Sequence, residues 1–355
     1  MNCESTLMWK ELNETPEIVS GLYQRNAAVL EQIREAVESR AIASIYTAAR
    51  GTSDHAMLYL KYLCEIESGI PVASGAPSVV TLYGSALRLG NALVIGCSQS
   101  GKAADVLEVI RAANACGGIT VAVTNDERSP LAQTAQYHLD CNAGEEKSVA
   151  ATKTFCSQLY LSMLLVSALK GERCDRQIGS MLKRARASLE RAAFSLAERF
   201  VDAKECFLLA RGVSSAIAFE CGLKLQETCY IRARAFHSSD FYHGPMAMIE
   251  SGTKVIVFSS KHSLAGGSDE LRREDDRKCA KKMRDLGADL YIVTDQADAF
   301  QDIGATVLSI EGGKTEAETV FAFAMTIQMF ACKVSCAKGL NPDVPRALNK
   351  VTITR

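Results

Sequence analysis

The chain has 355 residues, of which 48% are hydrophobic and 23% charged, with a formal net charge of −1. A chain so close to neutral lacks the basic surface that nucleic acids and anionic membranes attract, and its length allows two domains that each bury a core. The 13 cysteines include no C-x-x-C pair, and the sequence has no signal-peptide pattern. They therefore predict buried thiols in a reducing cytoplasm rather than a disulfide framework or a zinc site.

The first half of the chain alternates between apolar strand-like runs and segments with helical periodicity. Strands are predicted at 44–48, 92–97 and 120–124. Helices are predicted at 17–40, 54–67, 103–116 and 151–170. Strands that alternate with helices predict a parallel sheet covered on both faces.

The second half repeats this plan. Strands are predicted at 206–210, 254–259 and 289–294, and helices at 177–199, 215–229 and 315–338. The apolar runs 159–169 and 321–334 are too short to span a bilayer and are interpreted as buried helices. Four regions result: an N-terminal helical segment at 1–40, a first domain at 41–175, a second domain at 176–340 and a C-terminal arm at 341–355.

Two short motifs recur at one offset. Ala-Arg-Gly-Thr-Ser at 49–53 returns as Ala-Arg-Gly-Val-Ser at 210–214, which is 161 residues later, and the strand at 94–98 returns at 255–259. A constant offset indicates a tandem duplication of one α/β unit. The predicted fold class is therefore α/β, with two tandem domains, each a parallel sheet between two layers of helices in the flavodoxin-like manner.

Hydroxyl-rich turns follow two predicted strands of the first half. One turn carries Thr52 and Ser53, and the other consists of Ser98, Gln99, Ser100 and Gly101. Hydroxyls at a strand-to-helix turn, next to the N–H groups that begin a helix, can bind a phosphate. The alternative is that these residues merely cap helices. Two such turns in one domain favour phosphate, whereas the second half has Ser-Ser-Lys-His at 259–262 and is free to supply different chemistry.

Two candidates for acid–base chemistry lie in the second half. Glu220, Lys224 and Glu227 share one face of the predicted helix, where a carboxylate beside a lysine can act as a general base. An exposed, salt-bridged helix face explains the same spacing equally well. His243 precedes Gly-Pro in a predicted turn, where core packing is difficult, so it is a candidate for proton transfer.

Taken in order, these motifs resemble the double sugar isomerase (SIS) domain family over nearly the whole chain. Within that family they are most similar to the isomerase domains of glucosamine-6-phosphate synthases and to SIS-type glucosamine-6-phosphate deaminases. The segments that carry the resemblance are 8–11, 49–53, 98–101, 142–146, 149–153, 222–227, 243–245 and 350–352.

The resemblance implies roles that the residues alone leave open. Glu227 would move a proton between C1 and C2 of an open-chain sugar phosphate. His243 would assist ring opening from the neighbouring subunit of a homodimer, and Lys350 would form a Schiff base with the ketose. Other implied members of the site are Lys224 and Arg346 among the catalytic residues, Glu220 and Val149 among the substrate-binding residues, and Thr52, Ser53, Ser98, Gln99 and Ser100 at the phosphate. On sequence grounds alone, Arg346 and Lys350 are solvated charges near a chain terminus.

The sequence departs from the resemblance in two ways. Its 355 residues lead us to expect no glutaminase domain of the kind that precedes the isomerase in the synthases. Family members also usually continue the glycine of the second turn with Glu-Thr, but this chain has Lys102 and Ala103, so one phosphate-binding hydroxyl is lost and Lys102 is the one candidate to compensate.

The resemblance therefore implies an isomerising deaminase that converts glucosamine 6-phosphate into fructose 6-phosphate and ammonia, without a metal or redox cofactor. Its partner would be a small sugar phosphate, with no role for nucleic acid or membrane, and its location the cytoplasm. Two alternatives remain: a deglycase acting on 6-phosphorylated fructosamines, and a non-catalytic regulator that senses a sugar phosphate.

Overall fold

A computed structural model describes residues 2–174, 176–264 and 266–350. The chain forms two compact units. The first unit comprises Glu17–Glu146, Lys153–Gln177 and the chain from Asn349 onwards. The second unit comprises the chain up to Pro16, Lys147–Thr152 and Ile178–Leu348.

The first unit contains a five-stranded parallel sheet. Its strands are β1 (Ile45–Ala48), β2 (Val72–Ser74), β3 (Leu93–Cys97), β4 (Ile119–Thr124) and β5 (Tyr137–Asp140), in the order β2-β1-β3-β4-β5. The helices of this half are α1 (Leu7–Ser39), α2 (Thr52–Leu63), α3 (Ser78–Thr81), α4 (Ala104–Ala115), α5 (Pro130–Thr134) and α6 (Lys153–Leu169). α1 contributes residues to both units, α2 packs on α6, and α4 packs on α3 and α5.

The second unit repeats this topology. Its strands are β6 (Glu205–Ala210), β7 (Arg232–His237), β8 (Lys254–Ser259), β9 (Asp289–Thr294) and β10 (Thr306–Ser309), in the order β10-β9-β8-β6-β7. Its helices are α7 (Ile178–Glu198), α8 (Ser215–Cys229), α9 (Ser238–Phe241), α10 (Asp269–Asp285) and α11 (Glu316–Ala337). If β6 to β10 are numbered 1 to 5, this sheet has the order 5-4-3-1-2, which is the order 2-1-3-4-5 of the first sheet read from the opposite edge. The predicted fold class, two tandem parallel α/β domains, is confirmed.

The six predicted strands are all present, with ends that differ by at most one residue. The sequence did not reveal β2, β5, β7 and β10, which are the four edge strands. Inner strands such as β3 and β4 are buried at every residue, whereas β2 and β10 are buried at one residue each. An edge strand has a neighbouring strand on one side only, so fewer of its side chains are buried. It therefore lacks the continuous apolar run that marks an inner parallel strand.

The start of α1 differs from the prediction. The helix was expected from residue 17 but begins at Leu7 and continues through Pro16. Its first turn is capped from far along the chain, because the Asp343 carboxylate accepts the backbone N–H groups of Leu7 and Met8, each at 2.8 Å. A carboxylate at a helix N-terminus is favourable both as a cap and for the helix dipole.

α11 is the central helix of the second unit. It packs against α7 and α8, and its bounds agree with the helix predicted at 315–338 to within one residue at each end. Among the described residues it is the one helix long and apolar enough to cross a membrane, but 89% of its most apolar window is buried inside this fold. Its apolar character is thus accounted for by the core of its own unit. The 13 cysteines are free thiols, and all except Cys116 are buried, as predicted.

Candidate functional site

The two hydroxyl-rich turns lie side by side in the first unit. β1 and β3 are neighbours in the sheet, with Ala48 paired to Gly96, and each is followed directly by its turn. The connections from these two strands lead to α2 and α4, which pack on different helices. This is the switch point of a doubly wound sheet, where ligands bind outside the carboxyl ends of the strands.

Each turn leads directly into the beginning of a helix. The N-cap residues are Gly51 for α2 and Ala103 for α4, and neither supplies a side chain that caps its helix. The backbone N–H groups of the first helical turns, together with the helix dipoles, favour a bound phosphate. Lys102 is exposed beside the turn. The loss of a phosphate-binding hydroxyl at Ala103 stays a prediction.

The second turn is held in shape by local contacts. Ser98 donates its N–H to the Val123 carbonyl at 3.1 Å. Gly101 has φ +62°, and a Cβ atom there would collide with the Ser129 side chain. Glycine is required both for the backbone conformation and for the space. In the first turn, Ser53 is buried and accepts a hydrogen bond from Gln158 Nε2 at 3.0 Å.

Asn125 links the second turn to the loop at 142–146, and the sequence analysis missed it. Its backbone N–H donates to the Gln99 carbonyl at 3.0 Å. Its side chain accepts from the Ala143 N–H at 2.8 Å and donates to the Gly144 carbonyl at 2.6 Å. The signal was present, since Asn125 follows the third predicted strand and so must lie at the same edge of the sheet as the two turns.

Lys350 is also part of the first unit. Its Nζ lies 2.9 Å from Oε2 of Glu146, whose side chain is fully buried. Lys350 itself is 24% exposed, so its interpretation as a solvated terminal charge is wrong. Residues 351–352 of the same motif lie outside the described residues.

The second unit brings the three charged residues of α8 together. Lys224 Nζ lies 2.5 Å from Oε2 of Glu227 and 3.4 Å from Oε1 of Glu220. The side chains of Lys224 and Glu220 are completely buried, whereas Glu227 is 22% exposed. The exposed, salt-bridged face that the spacing also allowed is therefore excluded for Glu220 and Lys224.

The buried pair fixes the charge of Lys224. Burial by itself lowers the pKa of the ammonium, but the carboxylates of Glu220 and Glu227 outweigh it and raise the pKa above its ordinary value. A permanently charged lysine holds the Glu227 carboxylate in one direction. Glu227 thus combines a fixed orientation with partial access from outside, which is what a base that contacts a substrate needs.

Arg346 and Val149 also belong to the second unit. Arg346 donates its N–H to the Tyr230 hydroxyl at 2.8 Å and stacks its guanidinium 4.1 Å from the centre of that ring. Tyr230 is the residue that ends α8, so Arg346 lies near the Glu227 end of the helix. Val149 donates its N–H to the Asp343 carbonyl at 3.1 Å.

His243 lies in a turn, as predicted, between α9 and a short 3₁₀ helix at Pro245–Met248. It is exposed, and its side chain makes no hydrogen bond or ion pair with any residue that the structure describes. The second unit therefore does not join His243 to the α8 cluster through its own contacts.

The turn of the second unit that corresponds to the Ser53 turn is filled by the chain itself. Ser214 donates its N–H and its hydroxyl to Glu316 Oε1, at 3.1 and 2.9 Å. Arg272 also pairs with Glu316. A buried carboxylate thus occupies the place where an anion would bind, at a turn whose sequence closely resembles that of the Ser53 turn. No group of three or more His, Cys, Asp or Glu side chains in the described part of the chain could hold a metal ion.

Comparison with known proteins agrees with this architecture. The profile of the SIS domain family matches residues 40–168 and 199–336. The glutamine–fructose-6-phosphate aminotransferase [isomerizing] of Methanothermobacter thermautotrophicus is 31% identical over 349 residues, which cover 97% of this chain and 56% of that protein. The chain spans about half the length of the curated relatives it matches.

Two solved structures show the same fold. The C-terminal domain of the glucosamine-fructose-6-phosphate aminotransferase of Francisella tularensis has a TM-score of 0.82 and 26% identity, covering 96% of this chain and 98% of that one. The glucosamine-6-phosphate deaminase of Thermotoga maritima has a TM-score of 0.75 and 18% identity, covering 98% and 100%. At that identity the second likeness concerns the fold alone.

The chain is a tandem α/β protein with two hydroxyl-rich turns at the switch point of one unit and a buried carboxylate–lysine cluster in the other. It belongs to the SIS domain family and is homologous to the isomerase domain of the glutamine–fructose-6-phosphate aminotransferases.

Proposed function

We propose that this protein is an isomerising deaminase of an amino-sugar phosphate, with glucosamine 6-phosphate as substrate. The reaction consumes one water and yields fructose 6-phosphate and ammonia. The observation that carries the proposal is the Glu227 carboxylate, which a buried lysine orients while about a fifth of the side chain stays exposed. In an ordinary surface salt bridge both side chains are solvated, whereas here the lysine is fully buried and fixes the direction of the carboxylate, as a positioned base requires.

Each predicted residue has a part in this mechanism. The phosphate binds at the turns that follow β1 and β3, through the residues Thr52, Ser53, Ser98, Gln99 and Ser100. His243 assists ring opening. Glu227 then transfers the C2 proton to C1, which converts the amino aldose into an imine at C2. Water hydrolyses this imine and releases ammonia.

Lys350 offers a second path for the last step, because its amine can exchange with ammonia at C2 before water attacks. Lys224 orients Glu227, and the residues Arg346, Glu220 and Val149 contribute to the substrate site. Proton transfer next to an imine or a carbonyl is eased by that electrophile itself, so the mechanism requires no metal or redox cofactor. The protein acts as at least a dimer, in which the neighbouring subunit contributes His243 to each active site. Its location is the cytoplasm.

The leaving group distinguishes two reactions that the same base and phosphate site can carry out. Support for nitrogen chemistry at a sugar phosphate comes from the relatives, whose names refer to fructose 6-phosphate and to amino transfer. An amino acid as leaving group would make the protein a fructosamine-6-phosphate deglycase with the same base and the same phosphate site.

An ammonia-release assay with purified protein and glucosamine 6-phosphate tests the proposal. The wild type should release ammonia and fructose 6-phosphate in equal amounts. Glu227→Gln should lower kcat by a factor of about 10² to 10⁴, the usual contribution of a positioned base. Glu198→Gln, an exposed glutamate at the end of α7, is the matched control and should keep full activity.

Full turnover by Glu227→Gln would refute the mechanism. An inactive wild type that instead released an amino acid from 6-phosphorylated fructoselysine would identify a deglycase. Binding of sugar phosphates without turnover of any of these compounds would identify a sensor.

A further inference from the structure

Glu146 is a buried carboxylate for which the mechanism so far has no use. Its side chain is fully buried, and burial of a charge is costly unless hydrogen bonds compensate. Three contacts do so: Lys350 Nζ at 2.9 Å and Thr154 Oγ1 at 2.7 Å meet Oε2, and the Thr154 N–H meets Oε1 at 3.2 Å. All these residues belong to the first unit.

Two rigid elements hold Glu146 in place. Thr154 is the second residue of α6 and is completely buried, so the carboxylate lies at a helix N-terminus, where the helix dipole favours it. On the other side, Asn125 fixes the loop at 142–146 through Ala143 and Gly144. The same Asn125 bonds the Gln99 carbonyl, so a continuous chain of hydrogen bonds joins the phosphate turn to the loop that carries Glu146.

Lys350 lies in a segment without regular secondary structure, since the chain from 341 to 350 contains no helix or strand among the residues described. A lysine side chain has about 2 kcal/mol of rotamer entropy, which an ordered amine must give up. The contact with Glu146 orders the amine by anchoring it to the rigid part of the unit.

We propose that Glu146 is a positioning residue that orients the Lys350 amine. Asn125 connects the loop that carries Glu146 to the phosphate turn. The proposal rests on the proposed function, in which Lys350 forms an imine with the ketose. In that step Nζ forms a bond to C2 and the carbonyl oxygen leaves as water. An ammonium and a neutral carbonyl give a protonated imine and water, so no further reactant is required.

The test is borohydride trapping of the imine with fructose 6-phosphate, followed by intact-mass spectrometry over a range of sugar concentrations. Hydride addition converts the imine into a stable secondary amine, and Lys350→Ala shows that Lys350 is the residue trapped. In Glu146→Gln the maximal trapping rate should fall at least about tenfold, because a misplaced reacting group loses the advantage of orientation. The half-saturating sugar concentration should stay within about twofold of the wild-type value, because the phosphate turn is unchanged.

Two further variants keep the test decisive. Glu108→Gln changes a glutamate of α4 whose side chain is 44% exposed, and it should trap like the wild type. Thr154→Val removes one hydrogen bond to Glu146 without changing its charge and should lower the maximal rate less than Glu146→Gln does. An unchanged maximal rate in Glu146→Gln, or a change confined to the half-saturating concentration, would overturn the proposal.

Acetylation of the sugar-free protein with acetic anhydride separates this proposal from the proposed function. Peptide mass spectrometry would compare Lys350 with the exposed Lys102 as internal reference. Faster acetylation of Lys350 in Glu146→Gln than in the wild type supports the positioning role even if no sugar is ever trapped, in which case only the proposed function fails. Equal acetylation together with equal trapping would refute positioning and leave the proposed function intact.

Discussion

Nζ of Lys224 lies 2.5 Å from Oε2 of Glu227, and of these two side chains only Glu227 reaches the surface. The other carboxylate bound by this ammonium, Glu220, is as buried as the lysine. The cluster is therefore asymmetric: one glutamate balances the buried charge, and the other is presented to the exterior. Lys224 therefore neutralises a buried carboxylate and, in the proposed mechanism, also orients the base.

Replacement of Lys224 should destabilise the protein strongly. Lys224→Met leaves the Glu220 carboxylate buried without its cation, which costs about 3 to 5 kcal/mol in the free energy of unfolding. Denaturant titration followed by circular dichroism measures this change. The double variant Glu220→Gln/Lys224→Met removes both buried charges and should recover more than half of the loss. If the single variant were as stable as the wild type, the cluster would not carry the electrostatic balance described here.

The sequence predicted those parts of the site that depend on local order. The turns at Ser53 and Ser98 follow inner strands, and inner strands are recognisable from continuous apolar runs, so the position of these two turns at one edge of the sheet followed from the pattern alone. The same holds for the shared face of Glu220, Lys224 and Glu227, which requires only a helix.

What the sequence could not predict depends on residues that are distant along the chain. Spacing on α8 says nothing about which of its charges are buried, because that depends on how the sheet and α11 cover the helix. The Asp343 cap on α1 joins residues 336 positions apart, and the Glu146–Lys350 pair joins residues 204 apart. Neither contact has a local pattern, so the start of α1 and the ordered state of Lys350 were both wrongly predicted.

The glycine of the phosphate turn should be irreplaceable. Gly101→Ala introduces a Cβ at positive φ and against Ser129, so the turn must move and phosphate affinity should fall at least about tenfold. Gly117→Ala is the matched control, since its φ is +82° but nothing lies within 4 Å of the added Cβ. It should lose about 1 kcal/mol of stability and keep its affinity. Calorimetric titration with fructose 6-phosphate would measure both variants, and equal affinities would argue against a phosphate site at this turn.

Asp276 should make the stability of the protein depend on pH. Burial raises the pKa of this carboxyl from 3.8 to about 6, an effect that Arg272 and the Ser259 hydroxyl only partly offset. A carboxyl with a raised pKa in the folded state stabilises the fold at low pH, and this contribution is lost as the pH rises from about 4 through about 6. Relative to Asp276→Asn, the wild type should lose about 3 kcal/mol of unfolding free energy over this interval.

Urea titrations of both proteins between pH 4 and pH 7 would test this. Asp202→Asn, at an exposed aspartate, should run parallel to the wild type at every pH. Parallel behaviour of Asp276→Asn as well would mean that Asp276 is ionised in the folded protein throughout this range.

The exposed position of His243 leads to a test of the shared active site. If each site combines Glu227 of one subunit with His243 of the other, a dimer of one Glu227→Gln subunit and one His243→Ala subunit contains one intact site and one doubly defective site. Random exchange of equal amounts of the two inactive variants places half of the dimers in this mixed form, so roughly a quarter of the wild-type ammonia release should return. If instead each subunit supplied both residues to its own site, every site in the mixture would lack one of them. Activity that stayed at the level of the separate variants after verified subunit exchange would therefore refute the lending of His243.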